Sequence, residues 1–289
     1  MNPLGTHVQV WEGGWTPEAV CRAAAGAAAA GYDFLELPVR APETVDADAI
    51  ARILGAAGLA CTASFIHTPA TDIAGDDADA AARGEALMGK ALAKARDLGA
   101  TRLVGGWHSA LAKHDRPRSA EGRRRAVDIL ARVAAKAKAL GLVMCCEALN
   151  RYESNFVNTA GQALELIDAI GADNLHVHLD TFHMNIEEAD PASAIRRAGS
   201  RLGYLHLAEN HRGYLGTGSI DFRSLFRALA ETGYAGPIAL EVFSSAVVEP
   251  DHSARLAIWR EVWSDSADMA RHARAFVVNE METAARRRN

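Results

Sequence analysis

Carboxylate and imidazole side chains recur at the ends of four apolar segments in the second half of the chain. They are Glu147, Asp180, His206 and Glu241, and successive members lie 26 to 35 residues apart. Asp180 stands in "HVHLDTFHMNIEE" (176–188), and burying such a carboxylate is costly unless a cation or several donors meet it. Three carboxylates and one imidazole suit Mn²⁺ or Mg²⁺, with Co²⁺ also possible, and lack the thiolates of a structural zinc site. The pattern therefore predicts one divalent metal centre.

Eight short apolar runs alternate with longer alanine-rich stretches of helical character. Several runs are apolar on both faces, as parallel strands covered by helices are. Such alternation over about 250 residues favours an α/β fold, the (β/α)8 TIM barrel. We expect one domain over residues 1–289 with eight helices, the C-terminal one spanning about 253–283. The predicted strands lie within 6–11, 34–39, 59–66, 102–107, 142–149, 175–182, 202–209 and 237–242.

The candidate ligands fit this barrel because each separation is about one strand–helix unit. One ligand-type residue therefore stands at the C-terminal end of each of the last four strands, and these ends converge on the face where barrel enzymes keep their active sites. An open doubly wound sheet is the rival fold. It usually carries a glycine-rich phosphate loop after the first strand, and "WEGGWTPEA" (11–19) matches GxGxxG poorly.

Composition and charge argue against several classes of protein. Hydrophobic residues make up 49% of the 289, yet no apolar run approaches the roughly 20 residues of a membrane span. The first residues lack the basic and apolar regions of a signal peptide. A net charge of −5 argues against nucleic acid as a partner. The cysteines include adjacent Cys145 and Cys146 and no CxxC, which is typical of a cytoplasmic protein.

The motifs around the candidate ligands resemble those of one family of sugar epimerases. That family is the D-tagatose/D-psicose 3-epimerases, which are ketose 3-epimerases of the xylose-isomerase-like TIM barrel superfamily. The resemblance covers nearly the whole chain, with looser matches in "VQVWEGGW" (8–15) and "IWREV" (258–262). The matching stretches are "CEALNRYE" (146–153), "LDTFHMNIEE" (179–188), "HLAENHR" (206–212) and "LEVF" (240–243).

This resemblance implies a cofactor, a substrate and an assembly. It implies a divalent ion, usually Mn²⁺, held by the four candidate ligands, a small ketose substrate, and a homodimer or homotetramer. Three polar residues are implied to contact the substrate: Glu153, His183 and Arg212. Aromatic residues are expected to form the apolar wall that faces the far end of the sugar, namely Trp11, Trp15, Phe65 and Trp107.

Inverting C3 of a ketose requires a proton to leave on one face of the sugar and return on the other. Two acid/base groups are therefore needed, and Glu147 and Glu241 are the candidates, one ionised and the other protonated. A metal ion across O2 and O3 would polarise the carbonyl. The expected reaction is C3 epimerisation, through a cis-enediolate, of a ketose of the D-tagatose, D-psicose, D-fructose or L-ribulose type.

Other functions stay open from the sequence. An aldose–ketose isomerase of the same superfamily would move the proton between C1 and C2, and an inosose dehydratase-like lyase is a further alternative. A non-catalytic sugar-binding barrel would be expected to lose Glu147 or Glu241, and both are present. An endonuclease-like barrel would need several metal ions, more histidine ligands and a basic face for DNA. The sequence does not identify the ketose.

Overall fold

The computed structural model describes residues 2–286 and shows eight parallel strands closed into a barrel. Each strand pairs with the next one along the chain, and the eighth closes the ring against the first. The predicted (β/α)8 TIM barrel is therefore confirmed. The strands are β1 (Leu4–His7), β2 (Phe34–Pro38), β3 (Ala60–Ser64), β4 (Arg102–Gly105), β5 (Val143–Glu147), β6 (Leu175–Asp180), β7 (Leu202–Leu207) and β8 (Ile238–Leu240).

Every strand is followed by at least one helix, and the described residues contain ten α-helices rather than the eight expected. Two helices lie between β6 and β7, and two follow β8. The helices are α1 (Pro17–Ala29), α2 (Ala47–Ala57), α3 (Ala78–Asp97), α4 (Ala120–Ala139), α5 (Ala160–Ile170), α6 (Thr181–Glu187), α7 (Pro191–Ala198), α8 (Phe222–Thr232), α9 (Pro250–Leu256) and α10 (Ser266–Arg286). None of the helices within 2–286 has the length and apolar character needed to cross a bilayer.

Alternation of side chains along the strands places polar residues above an apolar floor. Glu36, Glu147 and His206 line one cavity. The residues two positions earlier on the same three strands face the same way, because successive side chains of a strand alternate between its faces. These earlier residues are Phe34, Cys145 and Tyr204. Together with Val104 and Ala239 they form a small apolar cluster that is separate from the main core.

Local signals set the bounds of α8. The Asp221 carboxylate accepts a hydrogen bond of 3.1 Å from the Ser224 backbone N–H and caps the start of the helix. Gly233 follows its last residue with φ of 69°, a left-handed conformation that glycine adopts at little cost. Both residues are of types that cap helices, and the buried apolar residues of α8 lie between them.

Two predicted bounds are wrong. The first strand ends at His7, because the His7 ring accepts a hydrogen bond from the Gln9 N–H and turns residues Val8–Val10 into a 3-10 helix. The expected helix over 253–283 is interrupted. Ala257, with φ of 54°, ends α9, and α10 begins only at Ser266, just after Asp265, which accepts a hydrogen bond from the Asp268 N–H.

Candidate metal centre and active site

The strand ends bring four side chains together at one mouth of the barrel. Glu147 and Asp180 are the last residues of β5 and β6, His206 is the penultimate residue of β7, and Glu241 directly follows β8. One ligand atom from each of these side chains lies within 4.8 Å of the others. Three of the four are buried and Glu241 is half-buried. The group could hold one metal ion.

The chemistry of this group fits a divalent cation. His206 Nδ1 lies 3.7 Å from Glu147 Oε1 and 3.6 Å from Glu241 Oε1, is buried, and has no hydrogen-bond partner among the described residues. Positive charge is needed, because three carboxylates crowd together with little exposure to water. Arg212 supplies part of it, with Nη1 at 2.8 Å from Glu241 Oε2 and 3.1 Å from Asp180 Oδ2. A cation between the carboxylates and His206 Nδ1 would neutralise the remaining negative charge.

Glu147 and Glu241 face the same cavity in opposite electrostatic environments. Burial raises the pKa of Glu147 to about 8, although the neighbouring His206 acts against it. Burial also disfavours ionisation of Glu241, but His206, Arg212 and His7 outweigh it and lower the pKa of this carboxyl. The two carboxyls therefore differ in how readily they ionise, a difference that acid–base catalysis by a pair of groups would use.

His183 and Glu153 are held toward the cavity by Asn150, a residue that the sequence did not single out. The Asn150 amide donates to Glu153 Oε1 at 2.7 Å and to His183 Nδ1 at 2.8 Å, and its backbone N–H also donates to Nδ1. Burial lowers the pKa of His183 to about 4, so the ring is neutral and carries its proton on Nε2. This N–H points toward Glu147 and Asp180, whose carboxylate oxygens lie 3.8 Å and 3.7 Å away.

Comparisons with known proteins agree with this geometry. The family model of the xylose isomerase-like TIM barrel matches residues 24–285. The chain is 40% identical over 274 residues to a ketose 3-epimerase of Arthrobacter globiformis, and the alignment covers 95% of both chains. The chain belongs to the ketose 3-epimerases of this barrel family. It is therefore an enzyme of the isomerase class.

Two other relatives are about as similar to this enzyme as the Arthrobacter protein, over nearly their whole length. An L-ribulose 3-epimerase of Mesorhizobium japonicum is 40% identical over 287 residues, which are 99% of this chain and 97% of the relative. The solved structure of a D-allulose 3-epimerase from Methylomonas sp., in complex with D-allulose, superposes with a TM-score of 0.94 at 40% identity. That superposition covers 96% of this chain and 97% of the other.

The Arg212 side chain of the enzyme is fixed from several directions. Its backbone has φ of 60°, a strained conformation of the kind that concentrates at functional sites. Its guanidinium lies over the Phe182 ring at 3.9 Å. The loop that carries it is tied to Glu209, a fully buried carboxylate that accepts hydrogen bonds from backbone N–H groups of residues 210, 216 and 220. Arg212 is thus held in place by contacts within the protein itself.

Of the four aromatic residues predicted to face the sugar, Phe65 lines the cavity within the described part of the chain, whereas Trp11, Trp15 and Trp107 do not. Trp107 has no exposed surface, and its indole N–H donates to the Cys145 carbonyl at 3.0 Å, so the ring packs within the barrel wall. Trp15 lies beneath the Arg40 guanidinium, 5.3 Å from its carbon. The structure does not support direct contacts from these two rings, since each is engaged elsewhere.

Glu36 is the most notable residue of the site that the sequence interpretation missed. It lies on β2 with no exposed surface, and its Oε2 accepts hydrogen bonds from His206 Nε2 at 2.8 Å and from the Tyr204 hydroxyl at 2.7 Å. Although burial opposes ionisation, the neighbouring His206 ring and the hydrogen bonds from His206 and Tyr204 hold the pKa of Glu36 well below its usual range. The bond fixes the proton on Nε2 and leaves Nδ1 free to face the metal site. A carboxylate inside the apolar run "FLELPV" (34–39) was the available signal.

Proposed function

We propose that this enzyme is a metal-dependent epimerase that inverts C3 of a free ketose of the D-psicose, D-tagatose, D-fructose or L-ribulose type. The observation that carries the proposal is the pair Glu147 and Glu241, which line one cavity with pKa values displaced in opposite directions. Support comes from relatives named for L-ribulose and D-psicose 3-epimerisation and from the relative solved with D-allulose.

The proposed cofactor is one divalent ion, with Mn²⁺ the most suitable and Mg²⁺ or Co²⁺ as alternatives. The residues that would hold it are Glu147, Asp180, His206 and Glu241. When bound, such an ion would polarise the ketose carbonyl and offset the negative charge that develops during the reaction.

Proton transfer is assigned to the two glutamates. The ionised Glu241 takes the proton from C3 on one face, which leaves a cis-enediolate. The protonated Glu147 returns a proton to C3 from the opposite face, so the configuration inverts. Exchange with water then restores the starting protonation of both groups. The opposite epimer requires the opposite roles, because its C3 proton points to the other face.

Three further side chains are proposed to hold the sugar between these groups. The neutral His183 presents its Nε2–H to a substrate oxygen, and the Arg212 guanidinium offers its remaining N–H groups. Glu153, whose pKa is raised by burial, accepts from or donates to a hydroxyl. Such fixed contacts keep C3 close to both carboxylates, which lowers the entropic part of the barrier.

A ketose panel in D₂O with added Mn²⁺ tests the proposal. A 3-epimerase introduces deuterium at C3 and forms the C3 epimer, which NMR of the product detects. Label at C1 or C2 with aldose formation would instead identify an aldose–ketose isomerase. Loss of water from the sugar would identify a lyase, and binding of ketoses without any exchange would identify a non-catalytic barrel.

Replacing Arg212 by alanine is expected to lower kcat/KM for ketoses by about 100-fold, because the sugar loses a fixed contact. Metal content, measured by elemental analysis, should stay near one ion per chain. Arg151→Ala is the matched control, since Arg151 follows Asn150 and, within residues 2–286, forms an ion pair only with the Glu187 carboxylate. Loss of the ion in Arg212→Ala would mean that Arg212 supports the metal site rather than the substrate.

Replacing Glu36 by glutamine is expected to weaken Mn²⁺ binding by about 10- to 100-fold, the usual effect of losing a carboxylate behind a histidine ligand. The isosteric amide keeps the volume but removes the charge that fixes the His206 ring. Calorimetric titration of the metal-free protein with Mn²⁺ measures the change. Glu43→Gln serves as the control, because the Glu43 side chain is exposed on the surface. Equal affinities in the two variants would show that Glu36 does not orient His206.

The expected assembly and location belong to the same proposal. A homodimer or homotetramer follows from the family resemblance, and light scattering of the purified protein measures it. The cytoplasm is the compartment that the cysteine pattern predicts.

A further inference from the structure

One side of the cavity is formed by residues that follow the first strands of the barrel. In a closed ring of eight strands, β2 lies opposite β6. Glu153, His183 and Arg212 follow β5, β6 and β7, so the side chains proposed to hold the reacting part of the ketose enter from one side. In that binding mode the carbons beyond C3 extend toward the opposite side. The lining of this opposite side includes Gln9, Pro38, Ser64, Phe65, Ile66 and Leu111.

Gln9 is a buried polar residue on this opposite side. It lies in the 3-10 helix Val8–Val10 directly after β1, is only 2% exposed, and lines the cavity. Its backbone N–H donates to His7 Nδ1 at 3.2 Å, whereas its side-chain amide has no hydrogen-bond partner within residues 2–286. Burial of an amide without partners is unfavourable, so a ligand group that bonds to it is favoured.

The Gln9 amide suits an uncharged hydroxyl group. Its Nε2 is the atom that is buried without a partner, which leaves Oε1 as the amide atom on the cavity side. Rotation about the last side-chain torsion exchanges the positions of Oε1 and Nε2 at little cost. The amide can therefore present either an acceptor or a donor. A sugar hydroxyl both donates and accepts, so it can bond to the amide in either orientation.

The neighbouring side chains have less capacity for this contact. Among the described residues that line the cavity, only Gln9 and Ser64 have an amide or hydroxyl side chain. Ser64 lies at the end of β3 and carries its hydroxyl on a shorter side chain. The Arg40 guanidinium already contacts His252 Nδ1 at 3.3 Å and the Trp15 ring at 5.3 Å. Gln9 therefore has both the reach and the free bonding capacity to meet a hydroxyl there.

We propose that Gln9 is a specificity-determining residue whose side-chain amide hydrogen-bonds the C5 or C6 hydroxyl of an uncharged ketohexose. This inference rests on the proposed epimerase function and deepens it, because it assigns a residue to the part of the sugar that does not react. The bond would favour sugars that carry this hydroxyl, since an analogue without it leaves the amide unpaired.

Deoxy sugars and an apolar variant test the contact together. With Mn²⁺-loaded wild type and Gln9→Met, kcat/KM is measured for D-fructose, 5-deoxy-D-fructose and 6-deoxy-D-fructose. Methionine has nearly the length of glutamine but cannot form the bond. We expect Gln9→Met to lower kcat/KM for D-fructose by about 3- to 10-fold, the value of one uncharged hydrogen bond. The deoxy sugar that lacks the bonded hydroxyl should react equally well with both enzymes.

A matched control separates this role from a structural one. Gln162→Met removes the acceptor of a 2.7 Å bond from the Asn158 N–H, so it should lower Tm and leave the relative kcat/KM of the three sugars unchanged. Gln9→Met should keep the Tm of the wild type, because the Gln9 amide makes no bond within the described chain. A lower Tm for Gln9→Met together with an equal loss for all three sugars would show a structural role and overturn the proposal.

The remaining outcomes also decide the question. An equal ratio of wild-type to Gln9→Met kcat/KM for all three sugars overturns the contact, whereas the epimerase proposal then stands. If D-fructose is not inverted, calorimetric titration of both Mn²⁺-loaded proteins with the same three sugars decides instead. Weaker binding of D-fructose by Gln9→Met, with no change for one deoxy sugar, supports the contact, and equal changes overturn it. The ketose panel judges the epimerase proposal separately.

Discussion

Removal of divalent metal is expected to abolish C3 epimerisation, and addition of Mn²⁺ to the chelated protein should restore it. The reason lies in Glu147, Asp180 and Glu241, three carboxylates that meet around the unpartnered Nδ1 of His206. Without the ion, the oxygens on which negative charge develops have no partner of sufficient charge. Activity after chelation, with metal content measured on the same sample, is the direct measurement.

The same ion should stabilise the fold. A ligand that binds only the native state adds about 2.7 kcal/mol to the free energy of unfolding at roughly 100 times its dissociation constant. Mn²⁺ should therefore raise the Tm of the wild-type protein and that of the control variant Asp48→Asn, whose substitution lies on the surface. The Tm of Asp180→Asn should rise much less, because this variant lacks one metal ligand. Full activity in a preparation shown to be free of metal would falsify metal dependence.

The position of the four candidate ligands could be predicted because one rule determines it. Parallel strands of a barrel end at the same face, so ligand-type residues spaced one strand–helix unit apart must meet there. The same rule explains why Glu36 could have been found. Glu36 lies on β2 close enough to His206 to bond its ring. It stands in an apolar run in the first half of the chain, however, and is not one of the regularly spaced ligand-type residues.

Side-chain contacts between distant segments could not be predicted in this way. Asn150 reaches His183, and Arg40 reaches His252, only because the loops and helices that follow different strands meet at the same mouth. Strand order places the loops near one another but does not fix the direction of a side chain. The predicted contact of Trp107 is unsupported for the same reason, because its ring turns into the wall to meet the Cys145 carbonyl.

The break in the C-terminal helix was also hidden from sequence patterns. Residues 253–283 contain no glycine or proline, so the sequence there gives no signal that would end a helix. Tertiary packing stops it, since Trp263 is buried and its carbonyl accepts a hydrogen bond from the Ser244 hydroxyl. His252, which lines the cavity, lies in the short helix α9 before this break.

Glu147→Gln and Glu241→Gln should each lower epimerisation by at least about 1,000-fold, because one face of the sugar loses its acid/base group. Glutamine has nearly the same size as glutamate but cannot take up a proton from C3. Glu165→Gln, on the exposed surface of α5, is the matched control and should retain wild-type activity. Epimer formation followed by NMR or chromatography measures the loss.

Proton exchange should separate the two variants more sharply than turnover does. If Glu241 alone serves one epimer, Glu147→Gln still washes deuterium from D₂O into C3 of that epimer with retention of configuration. Glu241→Gln should do the same with the other epimer, since Glu147 then faces its C3 proton. Metal content must be measured in both variants, because each substitution also weakens a metal ligand. Near wild-type epimerisation by either metal-loaded variant would rule out the two-base assignment and make His183, whose Nε2 lies 3.8 Å from Glu147, the next candidate.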